Sequence, residues 1–400
     1  MKKARIFISM HYLEIGGAET ALIGLLHALD PQRVDVDLFL HAHRGELLAH
    51  IPSWVNVLPE LRSYASIEAP AAQALRRGCF GVVYGRWRAR KKYQRYARRK
   101  RPCDNSALFG HIAACVTPHL PSLRRFGHYD LAISFLAPHD FVLRKVDAAK
   151  RICWIHTDYS AIDVDTELEL PVWSGYDAIA SISPDVTDTF CARFPSLREK
   201  IVHIGNIAPE NIIRTRAAEP CPADMPAGRR LRLLSVGRYC EAKNLEAIPQ
   251  LCRMLGERGI DVDWYIIGYG GDGAYIRKAI EAEGMQHRVH ILGKRANPYP
   301  YIAACDWYVQ PSRYEGNSVV VREAQMLGKP VIVTAYATAA SQVENGVDGI
   351  IVPMSAKECA DAMAAALTDA ALRARICANT AARDYSNRAE AEKIYKLAHS

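Results

Sequence analysis

The sequence predicts an α/β protein of two domains, and three observations carry that prediction. The chain has 400 residues, more than one ordinary core organises, so two domains of roughly 200 residues each are expected. Short apolar runs of buried-strand composition alternate with helical stretches along both halves. Between the halves, 217–230 (AAEPCPADMPAGRR) is rich in proline and small residues and reads as a linker.

In the first half, 5–9 reads as a strand, 12–19 as a loop containing Gly16-Gly17, and 20–29 as a helix. Further strands are expected at 35–41, 55–59, 129–135, 151–156, 178–183 and 200–205. The stretch 69–101 has apolar residues at helical spacing, but Gly78, Gly81 and Gly85 weaken a helix there. In the second half, strands are expected at 231–237, 262–268, 289–293, 305–310 and 331–334, with helices at 244–259, 356–366, 370–383 and 387–398. Pro311 to Gly316 reads as a loop and Asn317 or Ser318 as the N-cap of a helix that Gly328 and Pro330 stop.

The composition, half hydrophobic and 24% charged, is that of a soluble globular protein. Eleven cysteines without a C-x-x-C pair indicate neither a disulfide framework nor a zinc site and fit a reducing cytosol. The first apolar run ends at His11, too short for a signal-peptide core, and no window approaches the roughly 18 apolar residues of a spanning helix. The net charge of +8 is concentrated in 86–101, which holds ten basic residues and no acid. Interleaved with aromatics, Arg86, Arg88, Lys91, Lys92, Arg98 and Arg99 suit an anionic leaflet, an RNA, or simply a solvated face.

Chemistry-bearing residues gather on strand-to-helix loops. Arg238 and Lys243, five apart after a strand, can grip a diphosphate through charge-assisted bonds. Gly268-Tyr-Gly-Gly-Asp-Gly273 fits G-x-G-x-x-G, but no acid follows at the distance a dinucleotide site requires, so Gly268 and Gly270 read as a glycine loop near a nucleotide. Glu315 precedes a helix N-terminus and Glu323 lies on that helix, so both can accept from the paired hydroxyls of a sugar or ribose. The spacing equally allows Glu315 to cap a loop and Glu323 to be a solvated helix residue. His156 ends a strand, where a structural hydrogen-bonding role is the ordinary one. The pairs Asp35/Asp37, Asp163/Asp165 and Asp261/Asp263 form D-x-D triplets, which read as coincidence.

Glu315-Gly-Asn-Ser-Val-Val-Val-Arg-Glu323, Leu327-Gly-Lys-Pro-Val-Ile-Val-Thr334 and Asn345-Gly-Val-Asp-Gly-Ile-Ile-Val-Pro353 resemble glycosyltransferase family 4. These are the retaining "group 1" nucleotide-sugar transferases, and the variant here is similar to members of capsular or exopolysaccharide assembly. The resemblance implies two facing Rossmann-like domains, the GT-B fold, with the active site in the interdomain cleft. It implies an acceptor-side domain over 1–207, a donor-binding domain over 208–385, and a terminal helix at 386–400 packed back on the first. Arg238 and Lys243 would hold the diphosphate. Glu323 would take the ribose, and Glu315 with the amides of Asn317, Ser318 and Val319 would position the sugar. His156 and Gly16-Gly17 would close on the donor from the other domain. The implied substrates are a nucleotide sugar, with UDP first among nucleotides, and a lipid-linked or oligosaccharide acceptor. No metal cofactor and no nucleic-acid partner are expected, and the expected place is the cytoplasmic face of a membrane, held peripherally by the basic tract. Two alternatives share these features: a sugar-nucleotide epimerase of the same architecture, and a nucleic-acid-binding protein acting through 86–101.

Overall fold

The computed structural model describes residues 3–399 apart from 15, 221 and 317. The chain forms two compact units, Met1–Ile207 together with Asn387–Ser400, and Ala208–Ser386.

Unit 1 is built on seven strands: β1 (Ala4–Met10), β2 (Val34–Leu40), β3 (Asn56–Val57), β4 (His128–Ser134), β5 (Asp147–Ile155), β6 (Ala178–Ser181) and β7 (Ile201–His203). They pair in parallel in the order β3-β2-β1-β4-β5-β6-β7. Unit 2 holds six: β8 (Leu231–Val236), β9 (Val262–Ile267), β10 (Val289–Gly293), β11 (Trp307–Gln310), β12 (Val331–Thr334) and β13 (Ile350–Val352), parallel in the order β10-β9-β8-β11-β12-β13. In each sheet the strand order reverses beside the first strand, between β1 and β4 and between β8 and β11. The crevice outside the carboxyl ends at such a reversal is where open α/β sheets take ligands.

Both faces of each sheet are covered, which is why most strands carry a continuous apolar run, whereas β2 alternates at its start (VDVDLFL). In unit 2, Leu233, Trp264, Ile266, Trp307 and Ile332 enter one core while their neighbours Leu234, Tyr265, Ile267, Tyr308 and Val331 enter another. Strands β8 and β9 run in step from Leu231↔Val262 to Val236↔Ile267, so Gly237 and Gly268 leave the sheet side by side.

The stretch 217–230 is not a connection between the units, because it lies inside unit 2. Met225 is buried in that unit's core and Asp224 pairs with Arg295 at 2.5 Å, so prolines that signal a linker here shape a packed loop. The segment after Ser386 belongs to unit 1. Tyr395 Oη accepts from the Asp30 amide at 2.6 Å, Glu392 pairs with Arg33 at 2.7 Å, and Glu390 accepts from the Gly205 amide at 2.7 Å.

The glycines at 78–85 do not prevent a helix: Phe80–Lys100 is a helix of 21 residues. Gly85 faces the helix Ala107–Val116 so closely that a Cβ would stand 2.8 Å from the Cys115 carbonyl oxygen. Close packing of two helices, rather than a turn, explains that glycine.

Candidate active site

The loops after β8 and β11 flank the strand-order reversal of unit 2 and are knitted together. Asn244, with φ of 51°, turns the first loop and donates to the Pro311 carbonyl at 3.0 Å. The Arg313 amide donates to the Ala242 carbonyl at 2.9 Å. Lys243 and Glu315 meet across this seam, with Nζ and Oε1 separated by 2.5 Å and both side chains largely buried. The same Oε1 accepts from Ser312 Oγ at 2.6 Å and Gln310 Nε2 at 3.1 Å, which fixes the carboxylate. Arg238 is exposed and pairs with no described residue. One cation is thus held by a carboxylate, and a second, five residues earlier on the same loop, is exposed; two such groups can form charge-assisted bonds to a diphosphate.

Gly268 and Gly270 have φ of 149° and 154°. A Cβ on Gly268 would fall 1.8 Å from the Gly237 carbonyl oxygen, and one on Gly270 would fall 2.4 Å from that of Tyr239. The Tyr239 amide donates to the Tyr269 carbonyl at 2.9 Å, and the Asp272 amide to the Tyr239 carbonyl at 3.1 Å. These glycines therefore let their loop lie against the Arg238 loop and set its course.

Glu323, on the helix Val319–Met326, is 5% exposed, so it is not a solvated helix residue. It accepts from Tyr299 Oη at 2.9 Å, and burial pushes its carboxyl up to about 7. The Tyr308 phenol is held well above its usual value by burial first and then by the charges of Glu315 and Glu323. The Ser318 amide is not available to a sugar, because it donates to Gln342 Oε1 at 3.0 Å. Val319 opens the helix, and Asn317 lies outside the described residues.

In unit 1, Gly16 and Gly17 stand at the N-terminus of the helix Gly17–Ala28, with the Glu19 carboxylate folded into the room beside Gly16. His156 follows β5, its ring 4.7 Å from that of Phe135 and stacked on Trp154 at 6.0 Å. Burial pushes it down to about 3, so its imidazole is neutral, and Nε2 has no hydrogen-bond partner among the described residues.

The basic tract divides. Arg86 is not a free surface cation: it donates to the carbonyls of Ser66 and Ala69, the latter at 2.5 Å. Arg88, Lys92 and Arg98 are exposed, Lys91 lies 3.9 Å over the Trp87 ring, and Arg99 faces Glu167 at 3.7 Å. Val82, Gly85 and Ala89 form the buried side. Phe80, Tyr84 and Trp87 are 67%, 50% and 52% exposed, and their stripe continues at the same helical spacing into Lys91, Arg95 and Arg98. The D-x-D acids are all engaged: Asp35 with Lys3, Asp37 with Arg5, Asp163 with Arg193, Asp261 with Arg288 and Asp263 with Arg230, while Asp165 caps the helix Thr166–Ser174.

Sequence reading missed Tyr299, Ser312, Gln310 and Gln342, the residues that hold the two glutamates and the Ser318 amide. Gln310 and Ser312 carry only the local signal of polarity at a strand end, and Tyr299 and Gln342, both on helices, reach the site through tertiary packing.

Residues 226–383 match the family model of Glycosyl transferases group 1, and over that stretch the resemblance read from the motifs holds. An alpha-D-kanosaminyltransferase of Streptomyces kanamyceticus is 32% identical over 152 residues, 37% of this chain and 39% of that protein. The amylovoran biosynthesis glycosyltransferase AmsK of Erwinia amylovora is 30% identical over 131 residues, 31% of this chain and 32% of that protein. The chain therefore matches these relatives over less than half of their length. The crystal structure of Anabaena Alr3699/HepE in complex with UDP and glucose has a TM-score of 0.68 at 16% identity, covering 99% of this chain and 100% of that one. That likeness is one of fold, and it bears out the expected pair of Rossmann-like α/β domains.

Proposed function

We propose that this chain is a retaining glycosyltransferase that moves a sugar from a UDP-sugar to a lipid-linked or oligosaccharide acceptor in cell-surface polysaccharide synthesis. The observation that carries the reading is the Lys243–Glu315 contact beside the free Arg238, at the strand-order reversal of unit 2. The group 1 match over the same residues supports it, and the UDP bound to the Anabaena protein supports a uridine donor.

In this reading Arg238 and Lys243 hold the donor diphosphate. The bond from the sugar's anomeric carbon to the phosphate oxygen breaks while a bond to the acceptor oxygen forms on the same face. The acceptor proton passes to the departing phosphate oxygen. The two cations neutralise the charge that develops on the leaving group, an electrostatic role fulfilled without a divalent metal. Glu315 and the Val319 amide position the sugar, and Glu323, held by Tyr299, accepts from the ribose. His156 and the Gly16-Gly17 turn are unit 1's proposed contribution to the donor. The stripe from Phe80 to Arg98 supports peripheral attachment to an anionic membrane, since aromatics favour the interface and cations the headgroups.

The test is a screen of nucleotide sugars for binding and turnover, followed by Lys243→Ala. At least a tenfold loss of transfer with the fold intact is expected, because charge-assisted bonds contribute about 1.5–3 kcal/mol each and 1.4 kcal/mol is a factor of ten. Turnover near that of the parent sinks the diphosphate assignment.

A further inference from the structure

One cation of unit 2 bears on Glu323 without touching it. Arg216 lies on the helix Glu210–Ala217, which packs against the helix Tyr299–Ala304. Its Cζ stands 5.5 Å from the centroid of the Tyr299 ring, and the same tyrosine donates through Oη to Glu323 Oε1 at 2.9 Å. Tyr299 is 7% exposed, so this chain of cation, ring and carboxylate runs inward from a partly exposed arginine to a buried acid.

The arginine is fixed against the ring. Arg216 Nη2 donates to the Ala296 carbonyl at 2.6 Å, and its own carbonyl accepts from Asn297 Nδ2 at 3.0 Å. Asn297 Oδ1 in turn accepts from the Tyr299 amide at 3.2 Å. An arginine held at both its backbone and its guanidinium gives up side-chain freedom that a solvated one keeps, so its place over the ring is a built feature.

Glu323 is where such an influence counts. Burial pushes its carboxyl up to about 7, and the Tyr299 bond and then the Arg216 charge pull it back. Tyr308, on β11, also feels the Glu323 charge, and burial holds that phenol well above its usual value. When protonated, Glu323 turns one of its oxygens into a donor; when ionised, both accept, as a pair of ribose hydroxyls requires. A cation over an aromatic face is attracted to the ring's electrons. It draws density from the phenol oxygen, which makes the O–H a stronger donor and favours the charged carboxylate. Burial first holds the Tyr299 phenol well above its usual value, and Arg216 acts against that rise.

We propose that Arg216 is a positioning residue for Glu323: its guanidinium, over the Tyr299 ring, strengthens the phenol's hydrogen bond to the carboxylate and keeps Glu323 an ionised acceptor for paired hydroxyls. That those hydroxyls are a ribose's rests on the transferase reading above; that Arg216 acts on Glu323 through Tyr299 does not.

The experiment reads Glu323 itself. In the full chain carrying isotope-labelled glutamate, the Glu323 carboxyl signal is the one lost in Glu323→Gln, and NMR follows its midpoint against pH. Arg216→Met should raise that midpoint by about half a pH unit or more, a change of about threefold in the protonation ratio. Arg216→Lys, which keeps a charge over the ring, should restore most of the parent's value. In a Tyr299→Phe background Arg216→Met should move the midpoint far less, because the hydroxyl that carries the effect is gone. Should Arg216→Met misfold, Arg216→Gln is read in its place. An unchanged midpoint in the folded variant, or a shift of full size in the Tyr299→Phe background, overturns the proposal. Calorimetric titration with UDP and with dideoxy-UDP, which lacks both ribose hydroxyls, tests the consequence: at about pH 7 Arg216→Met should lose about threefold in the ratio of the two affinities and leave dideoxy-UDP binding unchanged. Equal losses for both nucleotides mean that Arg216 touches the nucleotide directly, and they overturn the proposal as well. A parent chain that binds no UDP counts against the transferase reading and leaves the titration result standing.

Discussion

Lys243 and Glu315 are bound to each other in this structure, so in the proposed reading a diphosphate competes with a carboxylate that three groups hold, Lys243, Ser312 and Gln310, while Thr338 Oγ1 holds the Glu315 backbone carbonyl at 2.8 Å. That organisation keeps the lysine aimed before a ligand arrives. The course of the Arg238 loop depends in turn on Gly268, which gives a prediction at single-residue scale. Gly268→Ala should destabilise unit 2 by about 1–3 kcal/mol, the strain of holding a side chain at such a φ, and should weaken nucleotide binding by moving Gly237 and Arg238. Gly271→Ala, where a Cβ meets nothing within 4 Å, is the control. Denaturant unfolding that leaves both variants alike contradicts this account. Arg238, Lys243, Glu315 and Glu323 were legible in the sequence because each stands within a few residues of a strand end or a helix start. Tyr299 was not, since it reaches Glu323 only through the packing of one helix on another.

At the scale of elements, the helix Phe80–Lys100 presents aromatic side chains on its first turns and cations on its later ones along one exposed stripe. Each lysine or arginine near an anionic leaflet contributes about 1 kcal/mol within a Debye length, and this attraction weakens as salt screens it. Replacing Arg98, Arg99, Lys100 and Arg101 with glutamine should therefore abolish most binding to anionic liposomes at low salt and leave the fold unchanged. Cosedimentation equal to the parent's means that the stripe is only solvated. Most strands were legible because both sheets are covered on both faces, so that each carries a buried apolar run, although β2 alternates and β4 and β5 open on polar residues. This helix was obscured by glycines, of which Gly85 packs against the helix Ala107–Val116 and Gly81 against His119, both tertiary reasons, while Gly78 precedes the helix.

Across the whole molecule, buried titratable groups act on stability in opposite directions. Burial raises Asp140 to about 6 and both Glu169 and Glu323 to about 7. The folded chain therefore keeps protons that the unfolded chain has released, and stability falls as pH climbs from about 4 to about 7. Burial lowers His11 to about 4 and His139 and His156 to about 3. The unfolded chain binds those protons first, so stability falls as pH drops below about 6.5. Between these limits the two sets oppose each other, while below about pH 4 the acids hold their protons in both states and the histidines dominate. The thermal midpoint should thus fall as pH drops from about 4 to about 3, and His139→Gln with His156→Gln should lessen that fall. Calorimetry in which the double variant falls as steeply as the parent contradicts the assignment. The segment that follows Ser386 carries one more consequence, which concerns synthesis rather than catalysis. Unit 2 is complete once Ser386 has left the ribosome, but unit 1 still lacks the partners of Asp30, Arg33 and Gly205. Domains ordinarily fold in the order of their emergence; here the domain that begins first is finished last, and until then it waits with the flank of β1 and β4 uncovered.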